Sequence, residues 1–400
     1  MSNRRDRFRK EMAAFEGSAD PRRSLDSGHY VSHPRKSLAD TIASRIELRP
    51  TSTHLLIGGI GSGKTTELLV ARDRINKLED TYAHYIDVSL YADISQIQPG
   101  VLLAVAGLAL SELTKEIDDG ELRIYKDVIR KLAYGYDEKK VSKVQLGFSS
   151  IISPTSTYYV HHKGIINLNE GKIKIKQLLE AIDSLKQAAA EKYGHIVLLL
   201  DGLDRLHPPD TLAQIVPDVK TLSEHGIGVV LVGPIETAHS QDINFIETTV
   251  EKISYQPCFD VVQDPDARDF FAKILAVRAS EDFIEQASAD NLIYYSGGVL
   301  RDLIGLTQAS IEEAYMCGSD NLQTAHVQVA VNVFSRPKIF GLSDEEVKIL
   351  KQVSKEGKFI PRTEQEIRLL GSQRILEYRH PEIRYAVHPA IEPLIETISV

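Results

Sequence analysis

The octapeptide Gly58-Gly-Ile-Gly-Ser-Gly-Lys-Thr65 constrains this chain more than any other feature, because it fits G-x-x-x-x-G-K-[ST]. Apolar His54-Leu-Leu-Ile57 precedes it and reads as a short buried strand. Lys64 to Leu78 follows with Leu68, Leu69, Ala71, Ile75 and Leu78 at helical spacing. Glycines allow backbone angles that turn successive N–H groups inward, and a helix N-terminus adds the positive end of its dipole. Such a concavity suits phosphate oxygens. Gly58, Gly59, Ile60, Gly61, Ser62 and Gly63 are expected to line it, with Lys64 neutralising β and γ phosphates. The Thr65 hydroxyl is expected to complete a magnesium shell, with Thr66 beside it.

A second element should supply an acidic partner for that ion. His195-Ile-Val-Leu-Leu-Leu-Asp201 is an apolar run ending in a carboxylate, where ligands of parallel sheets sit. Asp204 follows in Asp201-Gly-Leu-Asp-Arg205. One carboxylate would hold the metal while the other polarises an attacking water; Asp204 has the alternative of capping the next helix. Further strands are expected at Tyr82–Val88, Val229–Val232 and Lys252–Phe259, with helical segments between them. Strand–helix alternation predicts an α/β fold with a parallel five-stranded sheet covered on both faces. Asn76-Lys-Leu-Glu79 faintly resembles a guanine-reading motif, but it lies on the helix straight after the loop and reads as a solvated helix end.

The rest of the chain divides around this domain. Residues 1–27 look like a basic arm without periodicity, carrying Arg4, Arg5, Arg7, Arg9 and Lys10. Residues 28–260 form the nucleotide-binding domain, with an insertion at about 134–171 whose His161 and His162 fit a surface strand better than a metal site. Residues 261–337 read as a helical lid, with helices over Ala267–Ala279, Phe283–Ser296, Arg301–Tyr315 and Thr324–Phe334. Residues 338–400 read as a small winged-helix domain, with Ile375-Leu-Glu-Tyr and Arg384-Tyr-Ala-Val as its wing.

Composition narrows the class. A chain of 400 residues is expected to hold more than one core, and 42% hydrophobic with 26% charged residues is a globular balance. Two distant cysteines, Cys258 and Cys317, make neither a disulfide framework nor a four-ligand zinc site. The longest strongly apolar run, Val101 to Leu110, is far shorter than the roughly 20 residues of a membrane span. The first residues lack a secretory apolar stretch, so a cytoplasmic protein without membrane contact is expected. A net charge of −9 disfavours wholesale nucleic-acid coating but leaves a local basic patch open.

The phosphate loop, Asp201-Gly-Leu-Asp204, Ser296-Gly-Gly-Val-Leu-Arg301-Asp-Leu and the terminal helix–helix–wing pattern occur in an order that resembles AAA+/STAND-type P-loop ATPases. The likeness is to origin-recognition-like AAA+ and NACHT-like ATPases, over roughly residues 28–400. The resemblance implies ATP and Mg2+ as ligands and ATP hydrolysis to ADP as the reaction. It implies that Arg301 is the lid arginine reaching the γ-phosphate, and that Tyr30, Val31, Pro34 and Arg35 belong to a segment packing on adenine. Glu236 or Thr237 stands where a polar sensor is expected. The sequence departs from ring motors in having Gly202 after Asp201, Val-Gly-Pro-Ile at the end of the fourth strand, and no arginine between Arg205 and Arg268.

Those departures favour a slow molecular switch over a fast motor. Relatives of this type gate effectors in bacterial defence or signalling, including antiviral defence, which implies homo-oligomerisation or a separate effector protein. The alternative is a DNA-binding initiator-like or transposition-helper ATPase using the winged helix, through Lys351, Lys355, Lys358, Arg362, Arg368 and Arg374.

Overall fold

The computed structural model describes residues 2–16, 25, 27–35, 37–134, 172–206, 208 and 210–398. The segment expected to be an insertion, with His161 and His162, lies almost wholly outside the described residues. The first strand, β1 (Thr53–Gly58), is buried along its whole length and feeds the loop that opens a helix at Lys64–Ile75. Strands β2 (Thr81–Asp87), β3 (His195–Asp201), β4 (Gly228–Gly233) and β5 (Lys252–Gln256) pair in parallel with it in the order β2-β3-β4-β1-β5. This is the expected five-stranded α/β P-loop architecture.

The two-residue period of β3 divides the core. Val197 and Leu199 face Ala39, Ile42, Ile46, Leu68 and Ala71 on one side. Leu198 and Leu200 face Leu102, Val105, Ile182 and Leu185 on the other. The first face is covered by α2 (Leu38–Leu48) and α3 (Lys64–Ile75). The second is covered by α4 (Val101–Leu113), α5 (Gly120–Tyr134), α6 (Lys172–Tyr193) and α7 (Thr211–Glu224), followed by the short α8 (Ile243–Thr249). Asn76 is not simply solvated: its amide exchanges two hydrogen bonds with the Ala83 backbone, at 3.1 and 2.6 Å, and pins the end of α3 to β2.

Asp218 of α7 caps the start of α4, accepting from Gly100 N–H at 2.8 Å and Leu102 N–H at 3.2 Å. Burial pushes its carboxyl up from the usual 3.8 to about 7. Between those values the folded chain holds a proton that the unfolded chain has released, so stability falls as pH rises through the window and levels off above about 7. Asp218→Asn keeps an acceptor oxygen and removes the titration. Thermal melts at steps from about pH 5 to about pH 8 should show a slope in the wild type that the variant lacks. An equal slope in both would contradict this.

The stretch expected to be a lid folds as α9 (Pro265–Ala276), α10 (Gln286–Tyr295), α11 (Leu300–Met316) and α12 (Thr324–Ile339). The last of these runs through Pro337 instead of ending near Phe334, since a proline in the final turn removes only one helical hydrogen bond. The expected basic arm is different in the structure. Ser2–Glu16 form α1, whose Phe8 and Phe15 are buried in the lid core with Phe271, Phe283 and Leu303. Arg4 lies over the rings of Phe8 and Tyr315 and donates to Ser319 O at 2.6 Å. Glu11 accepts from Ser280 N–H at 3.0 Å. Phe8, Glu11, Met12 and Phe15 lie on one helical face, a period obscured by the many charges between them.

At the C-terminus, α13 (Asp344–Glu356) and α14 (Glu364–Gly371) precede an antiparallel hairpin of β6 (Ile375–Tyr378) and β7 (Arg384–Val387), then α15 (Glu392–Thr397). Their shared core is Val347, Leu350, Leu369, Ile375, Val387 and Ile391. A separate apolar cluster of Cys258, Val299, Leu376 and Tyr378 joins this unit to the rest of the chain. Among the described residues no helix is long and apolar enough to cross a membrane.

Candidate functional site

The phosphate loop turns on two glycines with positive φ, Gly61 at 80° and Gly63 at 98°. That region strains any side chain with a β-carbon. Neither position has room for one: a β-carbon on Gly61 would lie 2.6 Å from Arg301 Cβ, and one on Gly63 would lie 2.9 Å from Leu300 Cδ1. The lid therefore rests directly on the loop, and Arg301 N–H donates to Gly61 O at 3.3 Å. Lys64, only 3% exposed, folds its ammonium back onto Gly58 O and Gly59 O, each at 2.8 Å. Gly58 and Gly59 thus present carbonyls to the lysine, while Gly61 to Glu67 face the pocket.

The acidic partners converge on the same place. Asp204 Oδ2 lies 3.1 Å from Lys64 Nζ. It does not cap the next helix, which starts at Thr211 with Asp210 at its N-cap. Arg205, beside it, is exposed. Asp201 is buried at the end of β3, where its carboxylate accepts from Gly202 N–H at 2.7 Å and from the Tyr85 hydroxyl at 2.9 Å. Burial pushes the Asp201 carboxyl up. The Thr65 hydroxyl, the Gly202 N–H and Tyr85 pull it back, and the neighbouring Asp204 charge adds to the rise. Thr65 and Asp201 thus meet side by side at the mouth of the loop. Among the described residues no three or more His, Cys, Asp or Glu side chains converge as a metal site. The Thr65–Asp201 hydroxyl–carboxylate pair offers hard oxygen ligands of the kind magnesium takes.

The pocket widens between the loop and the lid. His29, Tyr30, Val31 and His33 line it together with the apolar Phe259, Phe270, Ile274 and Ile304, and the His33 ring lies 5.1 Å from that of Phe259. Burial, then the nearby Glu67 carboxylate, pushes the Tyr30 phenol up to about 12, and its buried hydroxyl has no hydrogen-bond partner among the described residues. Glu67 holds α2 to the loop helix by accepting from Ala39 N–H at 2.8 Å. Pro34 and Arg35 do not line the pocket; Arg35 pairs with Asp264 at 2.6 Å and so anchors the start of α9. Thr66, Arg301 and Asp204 line it.

Glu236 and Thr237 stand elsewhere. Neither lines the pocket, and Glu236 packs against Gly371, where a β-carbon would fall 1.8 Å from its carboxylate oxygen. The turn after β4 therefore faces the C-terminal unit. Sequence reasoning also missed three residues. Tyr85 reaches Asp201 across the β2–β3 pair. Gln256, in register with Gly58, donates to Ser62 O at 3.3 Å. Arg278 lines the pocket, donates to His29 O at 3.0 Å, and is lowered to about 10 by burial. None of the three carried a usable signal, since the strand expected over Lys252–Phe259 runs on past Gln256, where it ends in the structure.

No protein-family model matches the chain, and no curated protein matches it in sequence. Solved structures are similar in fold at low identity. The Aeropyrum pernix Orc1 protein in complex with DNA shares 11% identity over 90% of this chain and 93% of its own, at a TM-score of 0.46. Cdc6p from Pyrobaculum aerophilum shares 13% over 93% and 97%, at 0.44. The Thermotoga maritima RuvB Holliday junction branch migration motor shares 14% over 91% and 99%, at 0.38.

Proposed function

We propose that this chain is a magnesium-dependent ATPase that works as a slow switch. Its nucleotide state would set how the lid and C-terminal unit sit on the phosphate loop, and so govern oligomerisation or the hold on a partner effector. The observation that carries the reading is the convergence of Lys64–Asp204 and Thr65–Asp201 on a glycine loop roofed by Arg301. Tyr30, Val31 and the apolar wall around Phe259 and Ile304 would take the base, and the loop N–H groups the phosphates.

The charges suggest an order of events. Asp204 neutralises Lys64 in the structure described. Arriving phosphates would take Lys64 as their counter-charge and release Asp204 to orient a water. Thr65 and Asp201 would hold the magnesium ion, which when bound offsets charge on the phosphoryl oxygens. Tyr85 would keep Asp201 aimed, and Arg301 would reach the outermost phosphate from the lid.

The C-terminal unit favours a switch over a DNA grip. Of its six candidate basic residues, Arg368 is paired with Glu346, Arg374 donates to Lys338 O and Phe340 O, and Lys351 donates to Ile398 O. The unit also commits its surface to internal contacts. Arg379 stacks 3.8 Å over the Tyr255 ring, Arg384 forms two hydrogen bonds with Asp260 at 2.6 and 2.7 Å, and the Tyr378 hydroxyl donates to Gly297 O at 2.9 Å. The test is ATP hydrolysis and particle mass, with and without duplex DNA. Turnover and an ATP-dependent change of mass without DNA are expected. Hydrolysis that appears only with DNA, lost on Lys358→Ala with Arg362→Ala, would replace the switch by the DNA reading. No binding of ATP would refute both.

A further inference from the structure

The outer face of the phosphate loop is held by a residue from the far end of the chain. Gln373 follows α14, more than 300 residues after the loop in sequence, and its Nε2 donates to Ile60 O at 2.5 Å. The residue is only 8% exposed and adopts a φ of 57°, a left-handed conformation that costs a residue with a β-carbon. Its amide also sits over Gly59, where an added β-carbon would fall 3.2 Å from Nε2. Packing around it is close, since Gly371, two residues earlier, abuts Glu236 of the turn after β4.

The geometry of the peptide bond gives this contact a consequence. In a trans peptide the carbonyl of one residue and the N–H of the next point in opposite directions. Holding Ile60 O from outside the loop therefore directs Gly61 N–H toward its interior, where phosphate oxygens would lie. Gly61 has the freedom to let that peptide turn, because it carries no side chain and already sits at positive φ. Lys64 already holds Gly58 O and Gly59 O from the inside, which leaves the Ile60–Gly61 peptide to the glutamine.

We infer that Gln373 is a positioning residue for the phosphate loop, so that docking of the C-terminal unit sets how long a nucleotide stays bound. This rests on the nucleotide reading above and adds the route by which the terminal unit regulates that site. Undocking removes the outer hydrogen bond, frees the Ile60–Gly61 peptide and speeds release. Retained nucleotide, conversely, favours the docked arrangement, since coupling between two sites is reciprocal.

The test follows release of the fluorescent nucleotide N-methylanthraniloyl-ADP from the full chain after mixing with excess ADP. Gln373→Gly removes the side chain and relieves the positive φ; Gln373→Glu keeps the shape and removes the donor. Both are expected to release nucleotide roughly fivefold to tenfold faster, the size of one lost hydrogen bond. Nucleotide-free melting temperatures should fall by no more than about 4 °C, the size of one hydrogen bond in a chain this long, and Gln373→Lys, which restores a donor, should recover much of the slow release. Wild-type release in both Gln373→Gly and Gln373→Glu overturns the inference. So does faster release that only accompanies a larger loss of thermal stability. A wild-type chain that fails to bind the nucleotide at all refutes the nucleotide reading itself, which is a separate result.

Discussion

Lys64→Ala is expected to lower ATP hydrolysis by about 10²–10³-fold, the usual cost of removing one preorganised charge from a phosphoryl-transfer or oxyanion site. The ammonium is nearly inaccessible and sits within 2.8 Å of two loop carbonyls and 3.1 Å of Asp204. The cation offsets Asp204 and stands where phosphate charge would arrive. Alanine also strands Asp204, whose carboxylate would then repel the incoming phosphates. Lys64→Met keeps the aliphatic stem and separates loss of charge from loss of packing, so both variants should fail alike. Steady-state hydrolysis against ATP concentration checks this, with melting curves to show that each variant is folded. A rate within a few-fold of wild type would remove Lys64 from the mechanism.

The largest effect on stability is expected at Asp302, beside Arg301. Its carboxylate takes Lys338 Nζ at 3.2 Å and His388 Nε2 at 3.0 Å, and His388 is fully buried. Ala390 N–H donates to His388 Nδ1 at 3.2 Å, so Nε2 carries the ring proton and donates to Asp302. Burial lowers the His388 pKa, in keeping with a neutral ring. Burial of Asp302 works against its ionisation, but the His388 hydrogen bond and the Lys338 ammonium outweigh that and hold the carboxyl below its usual 3.8. Asp302→Ala leaves a half-enclosed ammonium and a buried imidazole without their acceptor, at a cost of about 3 kcal/mol.

The sign of the pH dependence follows from that depressed pKa. The contribution of Asp302 is fully present above 3.8 and is lost as pH falls through its lower folded value. The gap between wild type and variant in denaturant midpoint should thus be constant through neutral pH and shrink only in acid. Asp302→Asn, which still accepts from His388 but carries no charge, should fall between the two. Because Asp302 joins the lid helix α11 to α12 and to the C-terminal unit, the loss should appear in the first unfolding transition. A midpoint unchanged from wild type would show that the three groups find other partners.

Much of the candidate site is readable from local sequence. A glycine-rich loop between an apolar run and an amphipathic helix leaves few alternatives, and Asp201 ends a run whose apolarity makes it a central strand. These signals are local because a strand end or a helix start is defined by its neighbours in the chain. Reading failed where the period was faint or the partner distant. Phe8 and Phe15 are two apolar residues among many charges, so the face that buries them in the lid was invisible until Phe271 and Phe283 were beside them. Tyr85 is one tyrosine on a strand, and only the pairing of β2 with β3 places it on Asp201.

Local sequence is enough for the glycine loop, the strands and helices around it, and the carboxylate at the end of β3, since backbone freedom, hydrophobic period and turn chemistry act over a few residues. Packing alone brings Asp204 to Lys64, turns Glu236 toward the C-terminal unit and not the pocket beside the loop, and sets Gln373 on the Ile60 carbonyl. Those contacts join segments up to 313 positions apart. They depend on how helices and sheet pack together, and no local propensity encodes a distance between two residues that meet only once the core has closed.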